Sequence, residues 1–196
     1  MKLNRSRIIT LAVAVVLLVG VTGWMLASGM TTCLLYTSVS QAMGEYMERF
    51  EKAHLEPVLT VPQTPVYILA DGRLLWRVLD NLFVNVCHYA QSGTRVYIDV
   101  LCDDGQVVLS VKNISRDRLN ISAEELMGRF VRGDSARSTE GSGLGLSIAR
   151  SLTELQKGRF AIAIDGDLFK ACASFEEFVN PVQEPENTKA EPEPEI

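Results

Sequence analysis

A glycine-rich segment that leads into an apolar helix, residues 140–148, constrains this chain more than any other feature. Gly141, Gly143 and Gly145 alternate with other residues, so the backbone there can approach an anion closely. The start of the following helix adds unpaired backbone N–H groups and a partial positive charge. The segment therefore predicts a phosphate-binding turn, although glycines before a helix more often form only a turn.

The order of the remaining patterns predicts an α+β fold. Apolar residues recur at helical spacing in several segments, and β-branched residues cluster in short runs bounded by Pro, Gly and Asp. The predicted helices cover residues 40–54, 72–91, 123–130 and 144–156, and Asp71 is placed to cap the second. The predicted strands cover residues 58–61, 66–70, 95–102, 106–112, 160–164 and 168–175. This order indicates a two-layer sandwich of helices packed on one side of a mixed, mostly antiparallel sheet.

Residues 8–30 are uncharged and largely aliphatic, and this length predicts one transmembrane helix. Lys2, Arg5 and Arg7 precede them, so a cleaved signal peptide is the alternative. The positive-inside rule would place the rest of the chain outside the cell, where ATP is absent. A nucleotide-using domain there would lack its nucleotide, so either a second span is missing from this chain or the helix inserts against the rule.

Four regions are predicted along the chain. They are an N-terminal membrane anchor over 1–30, a linker and helix over 31–57, a folded domain over 58–178 and a disordered acidic Pro/Glu tail over 179–196. The net charge is −5, and residues 181–196 hold five Glu against one Lys. The rest is nearly neutral, so no basic surface for nucleic acid is expected. The four cysteines lack CxxC spacing, which argues against a zinc site or a disulfide framework.

A polar stripe is predicted on the helix over 72–91. Asn81 and Asn85 lie four residues apart and therefore on one face, and His88 and Tyr89 extend the stripe by a turn. Two carboxamides with nearby donors can hold a metal and phosphate oxygens, while the alternative is that these Asn side chains simply face solvent.

A second cluster stands just before the glycine turn and contains Arg129, Phe130, Arg132 and Arg137. Arginine suits the terminal oxygens of a phosphate chain, although loop arginines alone are usually only solvated. An Asn-bearing helix, an Arg-bearing loop and a glycine turn in this order are hard to attribute to chance.

Three of these segments resemble motifs of one family. Residues 79–86, Leu-Asp-Asn-Leu-Phe-Val-Asn-Val, resemble the N-box of the sensor histidine kinase ATPase domain. This domain is a member of the gyrase, chaperone, histidine kinase and mismatch-repair ATPase superfamily. Residues 129–134 resemble its F-box and residues 141–148 its second glycine box. The resemblance covers roughly residues 58–175 and implies a mixed sheet with helices that binds ATP and magnesium under a lid.

The resemblance also implies roles for single residues. Asn85 would bind magnesium and Asn81 would support the phosphates. Tyr89 would line the nucleotide site, and Arg132 would lie near the terminal phosphate. His88 stands where the family commonly has Lys or Arg, which weakens phosphate contact when the imidazole is neutral. The nucleotide site would further include the residues of the second glycine box, Gly141, Gly143, Leu144, Gly145 and Leu146.

Two departures from the family pattern matter. The first glycine box should fall at residues 113–117, where Asn113 replaces the Asp that contacts adenine and both glycines are absent. The Asn113 carbonyl oxygen can still accept a hydrogen bond, so altered rather than abolished adenine binding is expected. The phosphoacceptor histidine has no counterpart, because His54 is followed by Leu-Glu-Pro, which does not fit.

The sequence therefore predicts the ATP-binding catalytic domain of a two-component sensor histidine kinase, in a fragment without its dimerisation and phosphoacceptor helix. In the parent, the γ-phosphoryl group of ATP would pass to a histidine of that helix and then to a response regulator. The expected location is the bacterial inner membrane, with the ATPase domain in the cytoplasm. The alternatives are a noncatalytic membrane-tethered nucleotide-binding or interaction module and a secreted domain.

Overall fold

The structure, a computed structural model, describes residues 31–119, 122, 125–126 and 144–179. Its helices are α1 (Leu35–Lys52), α2 (Gly72–Tyr89) and α3 (Gly145–Leu155). Its strands are β1 (Thr31–Leu34), β2 (Glu56–Thr60), β3 (Tyr67–Ala70), β4 (Arg95–Asp103), β5 (Gln106–Ile114), β6 (Arg159–Asp165) and β7 (Leu168–Glu176). Three of the four predicted helices and all six predicted strands correspond to elements of this set.

The main sheet has five strands in the order β2-β4-β5-β7-β6. Strand β2 runs parallel to β4, and the remaining neighbours are antiparallel. Strands β1 and β3 form a separate antiparallel pair. The predicted α+β fold with a mixed sheet is therefore confirmed.

One hydrophobic core lies between the helices and one face of the main sheet. Val96, Ile98 and Val100 of β4 are fully buried, whereas Tyr97 and Leu101 on the opposite face are 39% and 54% exposed. This alternation is expected of an antiparallel sheet that is covered on one side only. The outer face of the sheet is thus left to solvent by the described helices.

Helix α2 begins as the sequence predicts. The Asp71 carboxylate accepts hydrogen bonds from the backbone N–H groups of Arg73 at 2.8 Å and Leu74 at 3.3 Å. Burial alone would raise the pKa of Asp71, but these two N–H groups hold it below its ordinary value. The N–H of Asp71 itself donates to Oε1 of Gln156, just after α3, at 3.0 Å. The start of α2 is therefore joined to the end of α3.

Helix α1 begins at Leu35, earlier than the predicted start at residue 40. Leu35 and Val39 are fully buried and continue the apolar spacing of Ala42, Tyr46 and Phe50, so core packing supports the extra turn. Strand β1 and helix α1 thus contribute to the same core as the elements after residue 58. The division of the chain at residues 57 and 58 remains a prediction.

The predicted transmembrane helix, residues 8–30, lies outside the described part of the chain, and so do residues 180–196 of the predicted tail. Of the short helix predicted at 123–130, only residues 125–126 are described, and these are helical. Within the described residues, no helix combines the length and apolar character that crossing a membrane requires.

Candidate functional site

The N-terminus of α3 lies directly on Asn81 of α2. A Cβ atom on Gly145 would stand 3.3 Å from Oδ1 of Asn81 and 3.7 Å from its backbone oxygen. Only a residue without a side chain allows this approach without displacing its neighbour. The structure thus brings Gly145, the last glycine of the glycine-rich segment, against the asparagine-bearing helix, although Gly145 and Asn81 are about 60 residues apart in the chain.

The two asparagines of α2 are in different environments. Nδ2 of Asn81 donates to the backbone oxygen of Arg77 at 2.6 Å, so this side chain is fixed against its own helix. Asn85 lies one turn further along and is half-buried. Among the hydrogen bonds within the described residues, none uses the Asn85 carboxamide. Its amide oxygen is therefore the one that a ligand could use.

The end of α2 is attached to the end of β5. The N–H of Gln91 donates to Ile114 and the N–H of Arg116 donates to Tyr89, each at 2.8 Å. The side chain of Tyr89 is 38% exposed, and its ring stands edge-on to that of His88 with centroids 6.2 Å apart. The aromatic end of the polar stripe thus lies beside the residues that follow Asn113.

Asn113 carries a buried acceptor without a partner. The residue is 3% exposed, and its Nδ2 donates to the backbone oxygen of Ile114 at 3.1 Å. Because Nδ2 is fixed in this way, Oδ1 is the atom left over, and it has no hydrogen bond within the described structure. Leaving a buried acceptor unpaired costs about 1–3 kcal/mol, so a donor is expected to reach it.

The remaining predicted site residues fall into three groups. Leu144 is 40% exposed at the start of α3, whereas Leu146 is 2% exposed and belongs to the core. Arg132, Gly141 and Gly143 lie outside the described residues. The same holds for Arg129, Phe130 and Arg137. Their predicted roles remain predictions.

The described residues contain no cluster of three or more His, Cys, Asp or Glu side chains that could hold a metal. Magnesium commonly binds through one or two protein oxygens together with substrate phosphates and water. The Asn85 amide oxygen fits that pattern, because it is a single ligand that needs a phosphate chain to complete the metal's surroundings. Residues Cys33, Cys87, Cys102 and Cys172 form no disulfide.

The sequence did not predict a contact between α1 and α2 that holds α2 next to Asn81. The hydroxyl of Tyr46 on α1 donates to the carboxylate of Asp80, the residue before Asn81, and accepts from Arg49 at 3.1 Å. Burial and the bond to Asp80 raise the pKa of Tyr46. Tyr46 stands at the apolar helical spacing of α1, but its hydrogen-bond partner lies 34 residues away and is not visible in a local pattern.

The sequence pattern of the family described as "Histidine kinase-, DNA gyrase B-, and HSP90-like ATPase" matches residues 70–188. This segment is more than half of the chain and includes α2, β5 and α3. The fold and site therefore define an ATPase-type domain. The chain belongs to the histidine kinase-, DNA gyrase B- and HSP90-like ATPase family.

Curated relatives narrow the class to the sensor histidine kinases. The chain is 30% identical over 139 residues to sensor histidine kinase WalK of Bacillus subtilis, covering 67% of this chain and 23% of WalK. It is 28% identical over 132 residues to sensor histidine kinase RppB of Synechocystis, covering 66% of this chain and 29% of RppB. The chain thus spans less than a third of the length of these curated relatives.

The solved structures agree in fold. The nucleotide-free catalytic domain of histidine kinase ThkA superposes with a TM-score of 0.65 at 20% identity, over 76% of this chain and 95% of that domain. Acinetobacter baumannii histidine kinase AdeS gives 0.58 at 18% identity, over 90% of this chain and 86% of that chain. With the family match and the relatives, the chain carries the ATP-binding catalytic domain type of two-component sensor histidine kinases.

Proposed function

We propose that this chain binds ATP with magnesium along the polar face of α2 and transfers the γ-phosphoryl group to a histidine on a separate domain. The contact between Gly145 and Asn81 carries this proposal, because it places the start of α3 over the polar face of α2. The unpaired N–H groups and the partial positive charge at that helix start stabilise a phosphate chain. Asn81 acts mainly by supporting this arrangement.

Asn85 is the proposed magnesium ligand. Its carboxamide is one turn beyond Asn81 and is not used by any described side-chain or backbone partner. Bound magnesium would neutralise part of the phosphate charge. The chain's own contribution is to hold the phosphates in position through the start of α3 and Asn85. We assign Arg132 to the terminal phosphate and Gly141, Gly143 and Leu144 to the turn around the phosphate chain.

The adenine base is proposed to lie at the C-terminal end of α2. The buried Oδ1 of Asn113 would accept a hydrogen bond from the exocyclic amino group of adenine, which supplies the missing donor. Guanine carries an oxygen at the corresponding position and would leave the acceptor unpaired. Tyr89 and His88 lie beside this place and are assigned to the wall of the site. Along α2, Tyr89 lies eight residues beyond Asn81, which corresponds to roughly 12 Å of helix.

The partners of the intact parent are proposed from the relatives. A sensor kinase needs a dimerisation and phosphoacceptor domain, a response regulator and, for the predicted anchor over 1–30, the inner membrane with this domain on the cytoplasmic side. A second candidate is a noncatalytic nucleotide-binding module. The observation that favours it is that residues 114–117, Ile-Ser-Arg-Asp, contain neither of the two glycines of the family's first glycine box.

Binding of a fluorescent ATP analogue, titrated with and without magnesium, tests the first step. The wild-type chain should bind with magnesium, and Asn85→Ala should lose the magnesium-dependent part. Gln41→Ala is the matched control, because it removes an exposed helical carboxamide from α1. Absence of magnesium-dependent binding by the wild type would contradict the proposal.

Phosphoryl transfer needs its own assay. The chain is incubated with labelled ATP and a separately purified acceptor-helix domain, and acid-labile phosphohistidine is measured. Transfer in trans supports the kinase, whereas nucleotide binding without transfer supports the noncatalytic module.

A further inference from the structure

Strand β6 is one edge of the main sheet, and β7 is its one neighbour among the described strands. Its sequence, Arg-Phe-Ala-Ile-Ala-Ile-Asp, carries no charge between its two ends. Edge strands of soluble proteins are usually protected by charges, proline or bulges, because their unpaired backbone groups are a template for another strand. The opposite edge, β2, has such protection in Pro57, whereas β6 has none along its middle.

The helical layer covers β6 only in part. Phe169 and Phe175, on the inner face of β7, are 6% and 3% exposed. The inner residues of β6, which are Phe160, Ile162 and Ile164, are only half-buried although they face the same layer. Apolar area at this edge therefore remains available to a further strand.

The backbone of β6 is also oriented for pairing. Asp165 and Leu168 flank a two-residue turn, and such a flanking pair exchanges both backbone hydrogen bonds. Because hydrogen-bonded and non-bonded pairs alternate in an antiparallel ladder, the residues at odd positions bond to β7. The N–H and C=O groups of Phe160, Ile162 and Ile164 thus point away from β7, towards the open edge of the sheet.

The charges of β6 match those of a second β6 strand. If two copies pair antiparallel about a two-fold axis through Ile162, Arg159 of each lies opposite Asp165 of the other. Phe160 then lies opposite Ile164, and Ala161 lies opposite Ala163. Both charged side chains are exposed, and neither takes part in an ion pair within the described residues.

We propose that β6 is a self-association edge through which two copies of this chain join their sheets antiparallel. The continuous sheet has ten strands, with both helical layers on one side, and it does not depend on the nucleotide site. The interface consists of two seven-residue strands, so the association is weak and depends on concentration.

Charge reversal tests the proposal in the full chain, purified in detergent micelles and examined by sedimentation velocity over a range of concentrations. Arg159→Asp places two Asp side chains opposite each other, and Asp165→Arg places two Arg side chains together. Each should raise the dimer dissociation constant about tenfold or more, because two symmetry-related attractions become repulsions. The double variant should restore the wild-type constant, and Glu56→Arg on the other edge should leave it unchanged.

Cross-linking tests the register. In a Cys102→Ser background, Ala161→Cys and Ala163→Cys are prepared separately, because Cys102 is the exposed native thiol. On mild oxidation, a mixture of the two variants should form far more disulfide-linked dimer than either alone, since residue 161 faces residue 163. Equal dissociation constants in all charge variants, together with no excess cross-linking in the mixture, would overturn the proposal.

Discussion

The two ends of the proposed nucleotide site are built differently. At the phosphate end, residue 145 is glycine, and because it has no side chain the start of α3 can lie against Asn81. At the base end, a polar side chain, Asn113, is buried with its Oδ1 unpaired. The first end therefore depends on the position of a whole helix, whereas the second depends on one atom. Substitutions should accordingly act on the phosphate end through stability and on the base end through selectivity.

The largest expected effect is from Gly158→Ala, which displaces α3 and so breaks the phosphate end. The added Cβ would stand 2.7 Å from the Phe175 ring and 2.8 Å from both the Ser174 backbone oxygen and Thr153. Overpacking of this kind costs about 1–3 kcal/mol, to be measured by denaturant unfolding. Gly44→Ala in α1 is the control, because no atom lies within 4 Å of its new Cβ and stability should not fall. Equal stability of the two variants would contradict the packing at Gly158.

The base end is tested by Asn113→Leu. Removing the acceptor should weaken binding of the ATP analogue about tenfold, which corresponds to one hydrogen bond of about 1.4 kcal/mol. Asn113→Asp keeps an acceptor at the same position and should retain preference for ATP over GTP. If Asn113→Leu keeps both affinity and preference, the base does not lie at Asn113.

The cap at the start of α2 belongs to neither end of the site, so its removal should change stability without changing selectivity. Asp71→Ala should lower stability by about 1 kcal/mol at neutral pH. Because the folded-state pKa of Asp71 is lowered, its contribution is present above the ordinary carboxyl pKa and is lost as pH falls through the folded value. The difference between wild type and Asp71→Ala should therefore shrink in acid, as followed by thermal unfolding. A difference that is constant with pH would rule out this contribution, and Asp71→Asn should retain much of the cap.

The smallest effect is expected for Gly145→Ala. A Cβ at 3.3 Å from Asn81 requires a shift of a few tenths of an ångström, so analogue affinity should fall only severalfold. Gly72→Ala, where the new Cβ meets nothing within 4 Å, should bind as the wild type does. A loss for both variants would show that helix composition, and not the contact with Asn81, is responsible.

Local chemistry made much of the fold predictable. The Asp-Gly pair between β4 and β5 adopts φ values of 46° at Asp104 and 71° at Gly105, the left-handed pair that such a tight hairpin needs. The cap at Asp71 and the apolar face of α2 follow equally from neighbouring residues. The glycine-rich segment and the asparagine pair were also recognisable as sequence motifs, because their spacing is short, while the turn over residues 140–143 remains a prediction.

Contacts distant in sequence were not predictable in this way. The parallel pairing of β2 with β4, the bond from Tyr46 to Asp80 and the meeting of Gly145 with Asn81 each depend on how complete elements pack. Asn113 was expected to act as an acceptor, but the absence of a partner for its Oδ1 follows only from the burial of β5 against the helices.

Strand β5 pairs with β7 along its whole length, from Gln106 with Glu176 to Ile114 with Leu168. The chain between these strands, which includes α3 and β6, therefore leaves the sheet after β5 and returns to pair with β5 through β7. The entropic free-energy cost of closing such a loop grows only with the logarithm of its length, by about 0.6 kcal/mol for each doubling. The segment between β5 and α3 can consequently change in length or sequence during evolution at little cost to the sheet, which keeps its register.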